Sequence, residues 1–312
     1  MSTMRAVGGR SRLDRAAWIA TFKRTGKGFQ EDNLTDWAAA LTYYAVLSLF
    51  PGLVVLVSIV GLFGDPRTTT DSLTKIVTDL GPSSARDTLQ GPIESLTSNR
   101  RAAGVLFVVG ALGALQSASS YIGAFIRASN AIYGVNEGRP FWKLRPLQIG
   151  VTLSMVALLA LVLVGLVLTG PVASAVGEAV GLTDATVAIY QLAKWPLLVM
   201  TVLLVLSLLY YAAPNVRLPK FRLVSAGSML ALALWVVASA LFAFYVGNFG
   251  SYDKTYGTLG GVISFLVWLW ITNMAVLLGV QLNAELERSH EIEAGVTGAE
   301  ECIRLPPRQT PE

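Results

Sequence analysis

The sequence predicts an all-α, polytopic membrane protein. It has six transmembrane helices, cytoplasmic N- and C-termini, and a short extracytoplasmic helical hairpin after the first span. Three observations predict it. Six continuous apolar runs, at about residues 37–63, 103–126, 147–169, 190–213, 223–247 and 259–282, match the roughly 20 residues that a helix needs to cross hydrocarbon. Charged residues make up 14% of the chain and apolar ones 53%, whereas a soluble domain is about a quarter charged. Seventeen Lys and Arg fall in the N-terminal arm, the second and fourth links and the tail, against six in the other links, and cytoplasmic segments carry that excess. A spanning backbone must satisfy its polar groups internally, and runs that are continuous rather than alternating select helices over a closed barrel.

Residues 1–35 form a basic arm with seven Lys and Arg. Within it, Leu13, Ala16, Ala17, Trp18, Ile19, Ala20 and Phe22 suit an amphipathic helix on the membrane surface; a solvated arm that only sets topology is the alternative. The arm has no apolar stretch leading to a small-residue cleavage site, so no removable signal peptide is expected. The first span opens the transmembrane domain, residues 36–284. In the 64–101 segment, Leu73, Ile76, Val77 and Leu80 follow helical spacing, and Gly81-Pro82 stops that helix. A second short helix is expected from about Ser84, with Leu89, Ile93 and Leu96 on one side. In span two, Gly110, Ala114 and Ala118 make a small-residue stripe suited to close helix packing. Gly257, Gly260 and Gly261 at the outer end of span six also allow close approach. The tail, residues 285–312, is acidic and then Pro-rich, and is expected to be disordered at its end.

Span one, DWAAALTYYAVLSLFPGLVVLVSIVGLFG, is unusually polar for an anchor. On a helical wheel Asp36, Tyr43, Tyr44, Ser48 and Pro51 share one sector. That sector is either a cavity wall or an N-terminal acid followed by interfacial tyrosines. Pro51 removes a backbone hydrogen bond near mid-span. Gln116 and Ser120 in span two either line a hydrophilic path or bond between helices. Asn273, near the middle of span six, implies a partner helix or a water path. After the Tyr210-Tyr211 pair, Arg217, Lys220 and Arg222 are placed to grip lipid phosphates. Lys194 is expected to snorkel to the outer interface, and a Glu137–Arg139 contact to order its loop. No acid or base sits clearly at the midplane of a span, which argues against a proton relay. Spans one and four each carry a Tyr-Tyr pair and a Pro in different order, slender support for two inverted halves of three spans.

One Cys, Cys302, and one His, His290, lie in the tail. They exclude an internal disulfide and a His/Cys metal cluster, and neither a catalytic residue nor a cofactor is nominated. Anionic headgroups account for the basic arm, so nucleic-acid binding is not expected.

DNLTDWAAALTYYAVLSLFPGLVVLVSIVGLFG, NAIYGVNEGRPFWKLR, YYAAPN and TYGTLGGVISFLVWLWITNMAVLLGVQLNAELE resemble the YihY/BrkB family of bacterial inner-membrane proteins, over about residues 20–290. The resemblance implies six spans, an inner-membrane location and a proposed transporter role. Some members carry the label ribonuclease BN. A metal-dependent nuclease needs clustered ligands, and here the acids are scattered among loops. The expected function is therefore that of a permease-like protein for an unidentified small solute or lipid-type molecule. A non-transporting membrane scaffold or envelope-interaction protein is the alternative. The expected partners are the lipid bilayer and the transported or bound molecule; homo-oligomerisation is left open.

Overall fold

The computed structural model describes residues 13–63, 100–167, 184–249 and 258–310. Seven helices account for these: α1 (Arg15–Glu31), α2 (Leu34–Phe63), α3 (Arg100–Ile132), α4 (Phe141–Val167), α5 (Asp184–Ala212), α6 (Ala226–Phe249) and α7 (Thr258–Glu293). There is no strand among the described residues; one isolated antiparallel bridge joins Val216 and Pro307. The fold is all-α, as expected. Each predicted span coincides with one of α2–α7, and the helical hairpin expected at 64–101 lies outside the described residues.

Among the described residues, α3, α5, α6 and α7 contain stretches long and apolar enough to cross a membrane, at Val108–Ile132, Leu192–Ala212, Ala226–Val246 and Gly260–Glu293. Large apolar side chains stand outward along these helices, including Val109, Leu112, Leu192, Leu197, Val237 and Leu241. Such extended apolar surface is what a lipid-facing helix presents.

The chain divides into two compact units. The first comprises Met1–Ala38, Phe125–Ala238 and Thr272–Glu312, and among the described residues it holds most of the buried side chains, including Leu34, Phe125, Ile126, Tyr210, Val216, Leu277, Val280 and Leu282. Helices α4 and α5 pack together in it. The second comprises Ala39–Ala124 and Ser239–Ile271. In it, Trp268 of α7 donates its indole N–H to Ser239 Oγ of α6 at 3.1 Å.

Helix α1 starts where Asp14 accepts the Ala17 N–H at 2.6 Å, an ordinary N-cap. It docks on α7 through a small polar face of Thr21, Thr25 and Gly28, all buried. Thr21 and Ser289 hydroxyls meet at 2.6 Å, and Arg24 Nε donates to Glu285 Oε2 at 2.6 Å. Ile19 and Phe22 are on its exposed side, Leu13 and Trp18 are half-buried, and the polar residues make the contact with α7. Asn33, at φ 51°, turns the chain into α2.

Helices α3 and α7 run on past the C-terminal ends of their predicted spans, and both stop on the same device. Gly134 (φ 63°) and Gly295 (φ 68°) adopt the left-handed conformation that glycine tolerates. After α3, Gly134 N–H donates to Ala131 O and Val135 N–H to Asn130 O. After α7, Gly295 N–H donates to Ile292 O and Val296 N–H to Glu291 O. Both are Schellman endings. Helix α7 thus comprises 36 residues.

The tail corrects the sequence expectation. Residues 285–293 are helical, His290 is in the last turn of α7 rather than in a flexible segment, and residues 294–310 fold back onto the protein. Arg217 N–H donates to Pro306 O and Arg308 N–H to Asn215 O, each at 2.9 Å. The side chain of Asn215, wholly buried, donates to Asn136 O at 3.0 Å and Gln309 O at 2.8 Å. Composition suggested disorder; backbone pairing and one buried asparagine provide the order instead.

Candidate functional site

The aromatic and basic cavity is built at the junction of α5 and α6. Helix α5 carries an apolar surface until Tyr210 and Tyr211. Tyr210 stacks on Phe125 with ring centroids 6.3 Å apart, and its hydroxyl donates to Val276 O at 2.8 Å. A polar link follows, and α6 begins at a reciprocal cap: Ser225 N–H donates to Ser228 Oγ and Ser228 N–H to Ser225 Oγ, both at 3.0 Å. Asn283 of α7 completes it, accepting the Gly227 N–H at 2.9 Å and donating to Ser225 Oγ at 3.1 Å. Helices α6 and α7 can meet this closely because a Cβ at Gly227 would overlap the Gly279 carbonyl oxygen.

These elements enclose a cavity of about 500 Å³. Trp18, Tyr133, Tyr210, Tyr211, Leu218 and Leu286 give it an apolar and aromatic wall. Lys220, Arg222, Ser225 and Asn283 make the polar side, and Glu287 and His290 of α7 also line it. Lys220 and Arg222 are exposed, and among the described residues neither makes an ion pair. The positive end of the α6 dipole opens on the same side. The arrangement can hold a molecule with an apolar body against the rings and an anionic group at the cations.

A smaller cavity of about 350 Å³ lies between α1, the end of α3 and α7. Arg24 and Arg288 flank Glu285 at 2.6 and 3.4 Å. Burial pushes the Asp32 carboxyl up, Gln281 partly offsets this by a hydrogen bond, and Glu285 and Glu31 push it further up. Since the folded value lies above the ordinary 3.8, folding favours the protonated form over the ionised one relative to the unfolded chain. This contribution is present below the ordinary value and lost as pH rises through the raised one. Asp32→Asn is accordingly expected to match or exceed the parent protein in thermal midpoint at pH 7, with the advantage shrinking as pH is lowered towards about 4. Melting both proteins across that range checks it, and a variant that loses stability most at neutral pH contradicts it.

The sequence-nominated residues are distributed as follows. Arg217 separates from Lys220 and Arg222 and lines another cavity. Asp36 is exposed and Asn273 buried, both in the first unit. Tyr43, Tyr44, Ser48, Gln116 and Ser120 belong to the second. There Tyr43 is 60% exposed and meets Tyr44 edge-on at 5.4 Å. Ser48 donates to Ala45 O at 2.7 Å and Ser120 to Gln116 O at 3.0 Å, so each hydroxyl is satisfied within its own helix. Gln116 is exposed. The Pro51 ring and Gly257 lie outside the described detail. Gly110 and Gly260 are buried, Ala114 and Ala118 half-buried, and Gly261 exposed with open space beside it. Lys194 is buried, with Nζ 5.4 Å from the Trp195 ring centroid. No group of three or more His, Cys, Asp or Glu among the described residues is arranged to hold a metal.

The sequence model of the family described as Virulence factor BrkB matches residues 25–301. The chain belongs to the BrkB family. Relatives within reach of this match include a Bacillus subtilis protein named "Putative ribonuclease-like protein YfkH", 30% identical over 82% of this chain and 90% of its own length. A UPF0761 membrane protein of Alkalilimnicola ehrlichii is 32% identical over 83% of this chain and 56% of its own. Another, from Xanthomonas axonopodis, is 26% identical over 94% and 66%. This chain thus spans between about half and two thirds of the UPF0761 relatives. No solved structure matches it. Family and apolar helices together make this a multi-pass bacterial membrane protein. The cavity residues Lys220, Arg222, Ser225, Asn283 and His290 all fall within the BrkB match. Of these, sequence reasoning found the two cations; the Ser225-x-x-Ser228 cap was a signal that it passed over.

Proposed function

We propose that this BrkB-family protein is a non-enzymatic, transporter-like protein of the cytoplasmic membrane that accepts a phosphate-bearing, lipid-type amphiphile. Six spans and cytoplasmic termini follow from the six apolar runs and from 17 Lys and Arg against six. That orientation turns the aromatic and basic cavity towards the anionic leaflet. The observation that carries the reading is the pairing, in one cavity, of an aromatic wall with Lys220 and Arg222, two cations without carboxylate partners among the described residues. Most basic side chains at a protein surface cost little to leave solvated; two beside an aromatic wall and a helix N-terminus favour an anionic guest.

The test is transbilayer movement of a fluorescent phosphatidylglycerol in vesicles reconstituted with the purified protein. The rate should exceed that of protein-free vesicles and that of a phosphatidylcholine probe. Equal rates for all three would overturn the proposal.

A further inference from the structure

Another charged cavity, of about 560 Å³, lies between the 137–143 segment, Arg217 and the tail residues Pro307–Thr310. It shares no lining residue with the aromatic cavity. Its charged groups are Arg139, Lys143, Arg217 and Arg308, against Glu137 alone. The excess is not balanced from within the wall.

The four cations divide into two kinds. Arg139 and Arg308 are fixed. Arg139 grips both Glu137 oxygens at 2.7 Å and donates to Ala212 O and Ala213 O. Arg308 donates to Val216 O at 2.8 Å and to Tyr211 O, and its guanidinium lies 5.1 Å from the Tyr211 ring centroid. Carbonyls and a ring orient a guanidinium without neutralising it, so only Glu137 subtracts charge. Burial pulls the Arg308 guanidinium below its usual value, the Tyr211 hydroxyl opposes this, and the Arg139 charge adds to it. A bound anion would relieve both the burial and the repulsion. Lys143 and Arg217 are free: both are exposed, and no side-chain hydrogen bond or ion pair holds either among the described residues. Helix α4 begins at Phe141, beside Pro140 in the wall, and its positive end adds to the field.

A fixed cationic floor with two unengaged cationic arms is the arrangement that recognises a tetrahedral oxyanion. The geometry points to a phosphate-binding site here, closed by Lys143 and Arg217 and walled on one side by the tail. The ligand is a phosphate monoester or diester oxyanion, whether a soluble phosphate or the headgroup of an anionic lipid. The tail's place in the wall ties its order to occupancy.

The experiment uses the full chain in nanodiscs made only of phosphatidylcholine, and in others containing phosphatidylglycerol. Inorganic phosphate is titrated calorimetrically into the first set, and retained lipid is read by native mass spectrometry in the second. Hydrogen exchange of the Arg308, Gln309 and Thr310 amides is followed in both. Saturable phosphate binding with slowed exchange in the tail establishes a soluble ligand. Selective phosphatidylglycerol retention with the same protection establishes a headgroup. Lys143→Glu combined with Arg217→Glu should weaken whichever binding is found by about ten-fold or more, at an unchanged thermal midpoint because neither side chain is engaged. Absence of both binding signals, or binding that survives the double substitution, overturns the proposal. The readouts do not involve lipid movement, so this site and the transport reading fail separately.

Discussion

Arg139→Ala is expected to lower the unfolding free energy by about 3 kcal/mol, the cost of leaving a largely buried charge without its partner. The side chain is 7% exposed and that of Glu137 24%. Removing Arg139 leaves Glu137 with the Asn130 amide at 2.9 Å and uncaps the Ala212 and Ala213 carbonyls at the end of α5. The same asparagine accepts the Asn215 N–H at 2.7 Å, so the loss spreads to the link and the tail. Arg139→Lys should recover little, because one ammonium cannot reproduce a fork bonded on both edges. Arg217→Ala is the control: exposed and unengaged, it should change stability by under about 0.5 kcal/mol.

The pH dependence separates this clamp from mere packing. Burial pushes the Glu137 carboxyl up, but the Arg139 bonds and charge and the Asn130 bond outweigh it and leave it below the ordinary 4.5. A depressed value stabilises the fold above the ordinary value, and that contribution is lost as pH falls through the folded one. The parent protein should therefore lose stability on acidification through this range, and Arg139→Ala should lose less. Thermal unfolding in detergent at neutral and acid pH measures both. An Arg139→Ala melt indistinguishable from that of Arg217→Ala would remove the clamp from the account.

The second large effect is functional. Lys220→Glu combined with Arg222→Glu exchanges two positive charges for two negative ones beside Glu287, in a cavity whose other wall is aromatic. Anionic lipid movement should fall by about ten-fold or more, since even partly screened like charges at a cavity mouth repel by a few kcal/mol. The melting temperature should barely move. An Ala pair in place of the Glu pair should give an intermediate rate, because it removes attraction without adding repulsion. Unchanged anionic movement in the Glu pair would show that the cations do not select the guest.

Why the fold was more legible than the site follows from the length scale of each signal. A span announces itself over some twenty residues, so all six predicted runs fall on helices. The Glu137–Arg139 contact was also readable, because two residues separate its partners. The tail was not: its order rests on pairing with Asn215–Arg217, over 80 positions away, which no local pattern records. Gly134 and Gly295 sit in similar contexts, Tyr-Gly-Val and Ala-Gly-Val, and neither was read as a helix end, because both lie in polar sequence beyond the apolar runs. The wheel of α2 groups Asp36, Tyr43 and Ser48 by angle, but angle says nothing of what the sector faces. Ser48 satisfies its hydroxyl locally and Tyr43 is open. The cavities formed instead where links between helices close, and there the basic residues chosen for lipid phosphates divided into Lys220 and Arg222 on one side and Arg217 on the other.

The most direct measurement is photolabelling in nanodiscs with a phosphatidylglycerol carrying a photoreactive group near its headgroup. Mass spectrometry then locates the adducts. The account predicts adducts concentrated in peptides spanning 207–226 and 283–290, competed by unlabelled phosphatidylglycerol and not by phosphatidylcholine. Adducts spread evenly along the apolar faces of α3, α5 and α6, with no competition by the anionic lipid, would contradict it.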